Sequence, residues 1–272
     1  MVRLTIKDVT YHIEQWHEEK EQTIVMLHGF TGSTKTWQPI AAQLHDYHII
    51  AIDCIGHGQT DAPMDVAPYA MGAQVDALHA IFETLSLSSF LLVGYSMGGR
   101  IALSYAARYP ERVAHLLLES ASPGLEETEA RAARRESDAI LANKIEANGL
   151  QSFVNAWENI PLFASQKQLP RVTQAEIRAE RLAQREIGLA NSLRGMGTGS
   201  MPSLWQSLSS LPMPVTLVTG TLDEKFVLLN EKMQKMLRNA KHILIPEVGH
   251  AIHVENPQKF ATIVKETIST IH

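Results

Sequence analysis

A serine framed by glycines, Gly94-Tyr95-Ser96-Met97-Gly98, directly follows the apolar run 90–94 and directly precedes a helix-forming segment. The G-x-S-x-G pattern acquires chemical meaning in that strand–turn–helix context. The glycines permit a sharp turn that lifts the hydroxyl above a sheet, and a helix N-terminus then favours negative charge beside it. A serine hydroxyl reacts poorly until another group accepts its proton. Two residues fit that need. Asp223 stands just after the run 215–220, in Gly220-Thr-Leu-Asp223-Glu-Lys, and His250 just after the run 242–246, in Val248-Gly249-His250. The chain order Ser, Asp, His is one used by the open α/β fold in which a serine stands on such a strand-to-helix turn. His250 is expected to take the Ser96 proton, and Asp223 to hold its tautomer and stabilise the imidazolium. Glu224 is the alternative acid; motif position favours Asp223. Leu27-His28-Gly29-Phe30 follows the run 23–27. In this fold that loop supplies one oxyanion N–H and the residue after the nucleophile supplies the other, which assigns Phe30 and Met97. Such donors stabilise an acyl oxyanion and an enolate alike, so they define machinery without defining a reaction.

The elements that must position these groups are read from periodicity. Short apolar runs recur at 2–6, 11–16, 23–27, 48–52, 90–94, 115–119, 215–220 and 242–246. Helical patterns lie between most of the later ones, for example at 74–85 and 101–109. Alternation of this kind predicts a mostly parallel sheet of about eight strands with helices on both faces. All three candidate residues then fall beyond C-terminal strand ends, where sites in open α/β sheets assemble. From about Glu126 to Arg194 the sequence is helical and rich in Ala, Glu and Arg, with no strand run. This predicts a helical cap over 124–202, inserted into a hydrolase core made of 1–123 and 203–272.

Composition narrows the function classes. A length of 272 residues with 45% hydrophobic content suits one large core with an insertion. A net charge of −5 argues against a nucleic-acid partner, which would call for a basic excess. The single cysteine, Cys54, reads as a small buried residue and fits a reducing compartment. The first residues show no apolar h-region, and no apolar run is long enough to span a bilayer, so a cytoplasmic protein without membrane contact is expected. His250 and His253 stand three apart but have no evident third ligand, so no metal is expected. His57, in Gly56-His57-Gly58, reads as structural. No nicotinamide, flavin or phosphate-loop signature is present, and no cofactor is expected. Oligomeric state carries no signal in the sequence.

Taken together, the motifs resemble the 2-succinyl-6-hydroxy-2,4-cyclohexadiene-1-carboxylate synthases, lyases of menaquinone biosynthesis within the α/β-hydrolase superfamily. The resemblance covers almost the whole chain. It is carried by His28-Gly-Phe-Thr-Gly-Ser33, Gly94-Tyr-Ser-Met-Gly-Gly-Arg100, Ser122-Pro-Gly-Leu125 with Arg131-Ala-Ala-Arg134, Trp157 with Pro161-Leu-Phe163, Gly195-Met-Gly-Thr-Gly-Ser-Met-Pro-Ser-Leu-Trp205 and Gly249-His-Ala-Ile-His-Val-Glu-Asn-Pro257. Ile55 departs from the proline that many relatives carry there. The resemblance implies elimination of pyruvate from a tricarboxylate cyclohexene, with Ser96 activated by His250 removing a ring proton. It also implies substrate contacts from Arg100, Arg134, Arg185, Tyr95 and Trp157. Guanidinium suits a small anionic substrate of this kind, because its planar fork matches carboxylate. Arg100 lies one helical turn beyond Ser96 and so shares its face. A serine carboxylesterase or carbon–carbon bond hydrolase is the rival enzyme, and a binding protein that lost catalysis is the rival outside enzymes.

Overall fold

A computed structural model describes residues 1–271. Among these residues eight strands form one sheet: β1 (Val2–Ile6), β2 (Val9–Trp16), β3 (Thr23–Leu27), β4 (His48–Ile52), β5 (Phe90–Tyr95), β6 (Val113–Glu119), β7 (Val215–Gly220) and β8 (Ala240–Ile245). Their order is β1-β2-β4-β3-β5-β6-β7-β8. The sheet is parallel from β4 to β8, and β1 and β2 add an antiparallel edge. The expected α/β-hydrolase architecture is therefore present. Observed strands begin up to two residues earlier than the apolar runs, because β2, β6 and β8 continue into residues that hydropathy alone leaves out.

Among the described residues nine α-helices accompany the sheet: α1 (Gln38–Ala41), α2 (Met71–Thr84), α3 (Met97–Arg108), α4 (Thr128–Trp157), α5 (Arg171–Leu182), α6 (Glu186–Met196), α7 (Glu224–Met236), α8 (Ile252–Glu255) and α9 (Pro257–Ile268). The central strands are the apolar runs that burial on both faces demands: all six residues of β5 and all six of β7 are buried. Each face has its own core. Leu92, Phe82, Ile101 and Tyr105 belong to one, and Trp37, Val93, Ile252 and Phe260 to the other.

Between β6 and β7 the chain contains α4, α5 and α6 and a 3₁₀ segment, Pro161–Gln168, with no strand among them. These helices enclose a small core of their own around Ile145, Phe153, Val154, Leu189 and Leu193, against which Phe30 of the core loop also packs. Helix α4 breaks direction at Gly149, whose φ of +77° suits glycine.

Candidate active site

The serine sits where the sheet forces it out of line. Strand β5 ends at Tyr95, and α3 begins at Met97. Ser96 alone spans the turn, with φ +50° and ψ −104°, a conformation that L-residues occupy only when their surroundings impose it. The flanking glycines supply the imposition. A Cβ on Gly98 would collide with the Leu27 carbonyl, and one on Gly94 would lie 2.5 Å from the Gly98 carbonyl oxygen. Helix and strand thus approach closer than side chains allow. Ser96 N–H donates to the Glu119 carbonyl at 2.9 Å, tying the turn to β6.

The imidazole and carboxylate arrive from the ends of β8 and β7. The Ser96 hydroxyl lies 3.0 Å from His250 Nε2, and His250 Nδ1–H donates to Asp223 Oδ2 at 2.6 Å. Asp223 is 7% exposed and His250 2% exposed, so the pair interacts in a medium where charge-assisted hydrogen bonds are strong. Phe226 packs on the His250 ring at 4.7 Å and Tyr95 at 5.4 Å, which restricts ring rotation. Glu224 is the first residue of α7 and is exposed.

A second buried pair stands behind the first. The Glu119 carboxylate, fully buried at the end of β6, accepts the His253 N–H at 3.0 Å and its Nδ1–H at 2.9 Å. His253 Nε2 accepts from the Thr36 hydroxyl at 2.8 Å. Both ring nitrogens of His253 are engaged, and the loop that carries His250 is pinned to the strand beside Ser96. Sequence reading missed Glu119. The signal was a lone carboxylate closing the apolar run 115–119.

Above Ser96 lies a cavity of about 170 Å³, whose walls include Phe30, Tyr95, Met97, Arg100, Arg134 and Trp157 together with His250. A larger cavity of about 640 Å³, between residues 33–39 and α5, contains none of the three relay residues. Neither the Phe30 nor the Met97 N–H has a protein acceptor among the described residues, so both are free to donate. Arg100 Nη1 donates to the Met196 carbonyl at 2.5 Å, which aims the rest of the guanidinium into the cavity. Burial, reinforced by the neighbouring charge of Arg134, lowers its pKa to about 10, and it stays cationic at neutral pH. Arg134 pairs with Asp138 one turn along α4, Nε to Oδ1 at 2.8 Å. Trp157 stacks on Phe153 and meets Phe30 edge-on, and its buried indole N–H has no partner among the described residues. Burial raises the Tyr95 phenol well above its ordinary range, so it stays neutral. Lys225, two residues beyond Asp223, is a third cation on the cavity wall that sequence reading did not single out.

Arg185 requires correction. It does not line the cavity. Its backbone is extended where α6 starts, and its guanidinium donates to the carbonyls of Thr60 and Gly58, fastening the helical segment to the loop after β4. One turn earlier, Arg181 is 6% exposed. Its guanidinium covers the ring of Phe163 at 4.6 Å, donates to Gln166 at 3.0 Å and meets no carboxylate within 4.0 Å among the described residues. Phe163 is a wall of the Ser96 cavity as well, whereas Arg181 itself lines a neighbouring cavity that shares Phe163 with it. His57 is fully buried, bonds its Nδ1 to the Ile55 carbonyl, and has its pKa pushed down to about 3 by burial. Cys54 is buried as expected.

A family model described as alpha/beta hydrolase fold matches residues 22–257. A putative 2-succinyl-6-hydroxy-2,4-cyclohexadiene-1-carboxylate synthase of Bacillus subtilis (strain 168) is 45% identical over 271 residues, covering 99% of each chain. The synthase of Enterobacter sp. (strain 638) is 31% identical over 90% of this chain and 91% of its own. Among solved structures, MenH from S. aureus superposes with a TM-score of 0.91 at 38% identity, over 96% of this chain and 98% of that one. A thermophilic esterase from Thermogutta terrifontis reaches 0.86 at 23% identity and shares the fold. The chain belongs to the α/β-hydrolase superfamily and, within it, to the 2-succinyl-6-hydroxy-2,4-cyclohexadiene-1-carboxylate synthase family.

Proposed function

We propose that this protein eliminates pyruvate from 2-succinyl-5-enolpyruvyl-6-hydroxy-3-cyclohexene-1-carboxylate to give 2-succinyl-6-hydroxy-2,4-cyclohexadiene-1-carboxylate, a lyase step of menaquinone biosynthesis. One arrangement carries the reading. The hydroxyl–imidazole–carboxylate relay opens into a cavity whose walls also present Arg100, Arg134 and Lys225. The substrate carries three carboxylates.

The relay provides a base. As the Ser96 oxygen takes the ring proton α to the succinyl ketone, its own proton passes to His250 Nε2, and Asp223 stabilises the resulting imidazolium. The electron pair moves onto the ketone oxygen, where the N–H groups of Phe30 and Met97 receive the enolate charge. When the enolate returns to ketone, the ring double bond shifts and the carbon–oxygen bond breaks, the electron pair leaves with the enolpyruvyl oxygen, and the proton held on His250 is given up as that enolate becomes pyruvate. No water is consumed and no acyl-enzyme forms. Arg100 and Arg134 hold carboxylates, and Tyr95 and Trp157 supply apolar walls. Residues 124–202 act as a cap over the core of 1–123 and 203–272, and the setting is cytoplasmic. A serine carboxylesterase would use the same relay, yet cations around the cavity give a neutral ester no added binding.

The test is release of pyruvate from the cyclohexene substrate, coupled to NADH oxidation by lactate dehydrogenase. Turnover that disappears in Ser96→Ala supports the proposal. Rapid hydrolysis of aryl esters with the cyclohexene left intact overturns it.

A further inference from the structure

Ser120 plays no part in the relay, yet its place in the fold is costly. It follows β6, is fully buried, and has φ +46°, in the left-handed region where glycine alone is unstrained. Its hydroxyl is buried without a hydrogen-bond partner among the described residues, and it lines the Ser96 cavity. A strained backbone and an unsatisfied hydroxyl are two separate penalties, and glycine would remove both. A serine that serves only the fold has no reason to combine them.

Topology says which side of the nucleophile this hydroxyl occupies. The parallel register sets Tyr95 beside Glu119, so Ser96 and Ser120 leave the sheet as neighbours. The loop bearing Phe30 follows β3, on the opposite flank of β5. Phe30 and Ser120 therefore stand on the two flanks of Ser96. Ser120 N–H is already used by the Val218 carbonyl at 3.0 Å, which leaves the side-chain O–H as the free donor.

We infer that the Ser120 hydroxyl is a substrate-binding group that donates a hydrogen bond to a carboxylate oxygen of the anionic substrate, on the β6 side of Ser96, away from the enolate. The inference rests on the proposed function for the identity of the ligand. It adds a specificity contact that neither the relay nor the arginines supply.

The experiment compares wild type, Ser120→Ala and Ser120→Gly by pyruvate release, by thermal midpoint, and by calorimetric binding of 2-succinylbenzoate, a non-reacting dicarboxylate that shares the succinyl arm. One hydrogen bond to a charged oxygen corresponds to roughly tenfold in binding. Both variants should lose about that factor in kcat/KM, chiefly through KM, and bind the probe correspondingly more weakly. The thermal midpoint of Ser120→Gly should equal or exceed that of wild type. Loss of activity together with a lowered midpoint in both variants would make the hydroxyl structural and overturn the inference. So would kinetics and probe affinity within twofold of wild type. A wild type that binds the probe but releases no pyruvate refutes the proposed reaction, and weaker binding by the variants would still sustain Ser120's role. A wild type that does neither overturns both.

Discussion

Replacement of Arg100 by methionine separates the proposed lyase from a hydrolase more sharply than any change in the relay. Methionine fills similar apolar volume without charge. In the structure one Arg100 nitrogen is committed to the Met196 carbonyl, and the remaining N–H groups face a cavity also lined by Ser96 and His250. A carboxylate bound there forms a partly desolvated, charge-assisted contact. Truncating one partner of such a contact costs about 2–5 kcal/mol. That converts to roughly 30- to 5,000-fold in kcat/KM. Fold stability should move little, because the lost hydrogen bond to Met196 is offset by removal of a charge that burial already disfavours. The assay is pyruvate release across substrate concentrations, with thermal unfolding as the control. A change below threefold in kcat/KM, with an intact fold, would refute the claim that Arg100 holds a substrate carboxylate.

Ser96→Ala and His250→Ala should each lower kcat by at least about 10⁴-fold, and the double variant should be hardly worse than either, because the two act as a unit; additive losses would indicate separate roles. Arg185→Ala should leave KM within twofold and lower the thermal midpoint, since it removes donors to the Thr60 and Gly58 carbonyls. Arg181→Ala should instead raise KM, and steady-state kinetics on the pair decide which arginine serves the site. Stability should also depend on pH through the buried His12–Asp53 pair, bonded at 2.8 Å. Burial pushes the Asp53 carboxyl up, but hydrogen bonds from His12, Gln59 N–H and Thr34 N–H prevail and hold it below its ordinary 3.8. The hydrogen bond to Asp53 raises His12 above 6.5. The Asp53 contribution is present above 3.8 and is lost as pH falls through its lower folded value. The His12 contribution is present below 6.5 and is lost as pH rises through its higher folded value. The thermal midpoint should therefore be greatest between these limits, and His12→Asn should abolish the decline on the alkaline side; an unchanged profile would refute the assignment.

The relay was legible because each member stands immediately beyond an apolar run. When strand ends are marked so clearly, the C-terminal edge of the sheet collects Ser96, Asp223 and His250 with little freedom left. Arg185 was misread for the opposite reason. Arg171, Arg178, Arg181 and Arg185 stand close together in a polar helical stretch, and local pattern gives no means of choosing among them. The choice is made by tertiary packing, where Phe163 offers a ring to Arg181 and the turn into α6 directs Arg185 to a loop carbonyl. Ser120 was invisible for a third reason: its φ and its unsatisfied hydroxyl are properties of the folded backbone, absent from residue type.

The relay and the oxyanion donors are indifferent to reaction class, since proton removal from carbon and activation of a nucleophile begin with the same proton transfer to His250. Discrimination must lie in what the walls select and in whether the serine oxygen reaches a C–H or a carbonyl carbon. A cavity of about 170 Å³ that presents Arg100, Arg134 and Lys225 favours a compact polyanion over a neutral ester. Water in such a site competes with the reacting carbon only if the cap admits it. Packing of Phe30 from the loop after β3 against Phe153 and Trp157 ties that loop to α4. If Phe30 is the oxyanion donor we propose, displacing α4 would disturb its N–H, so Phe153→Ala, which removes one of these ring contacts, should lower kcat in the pyruvate-release assay; an unchanged kcat with an intact fold would refute the coupling.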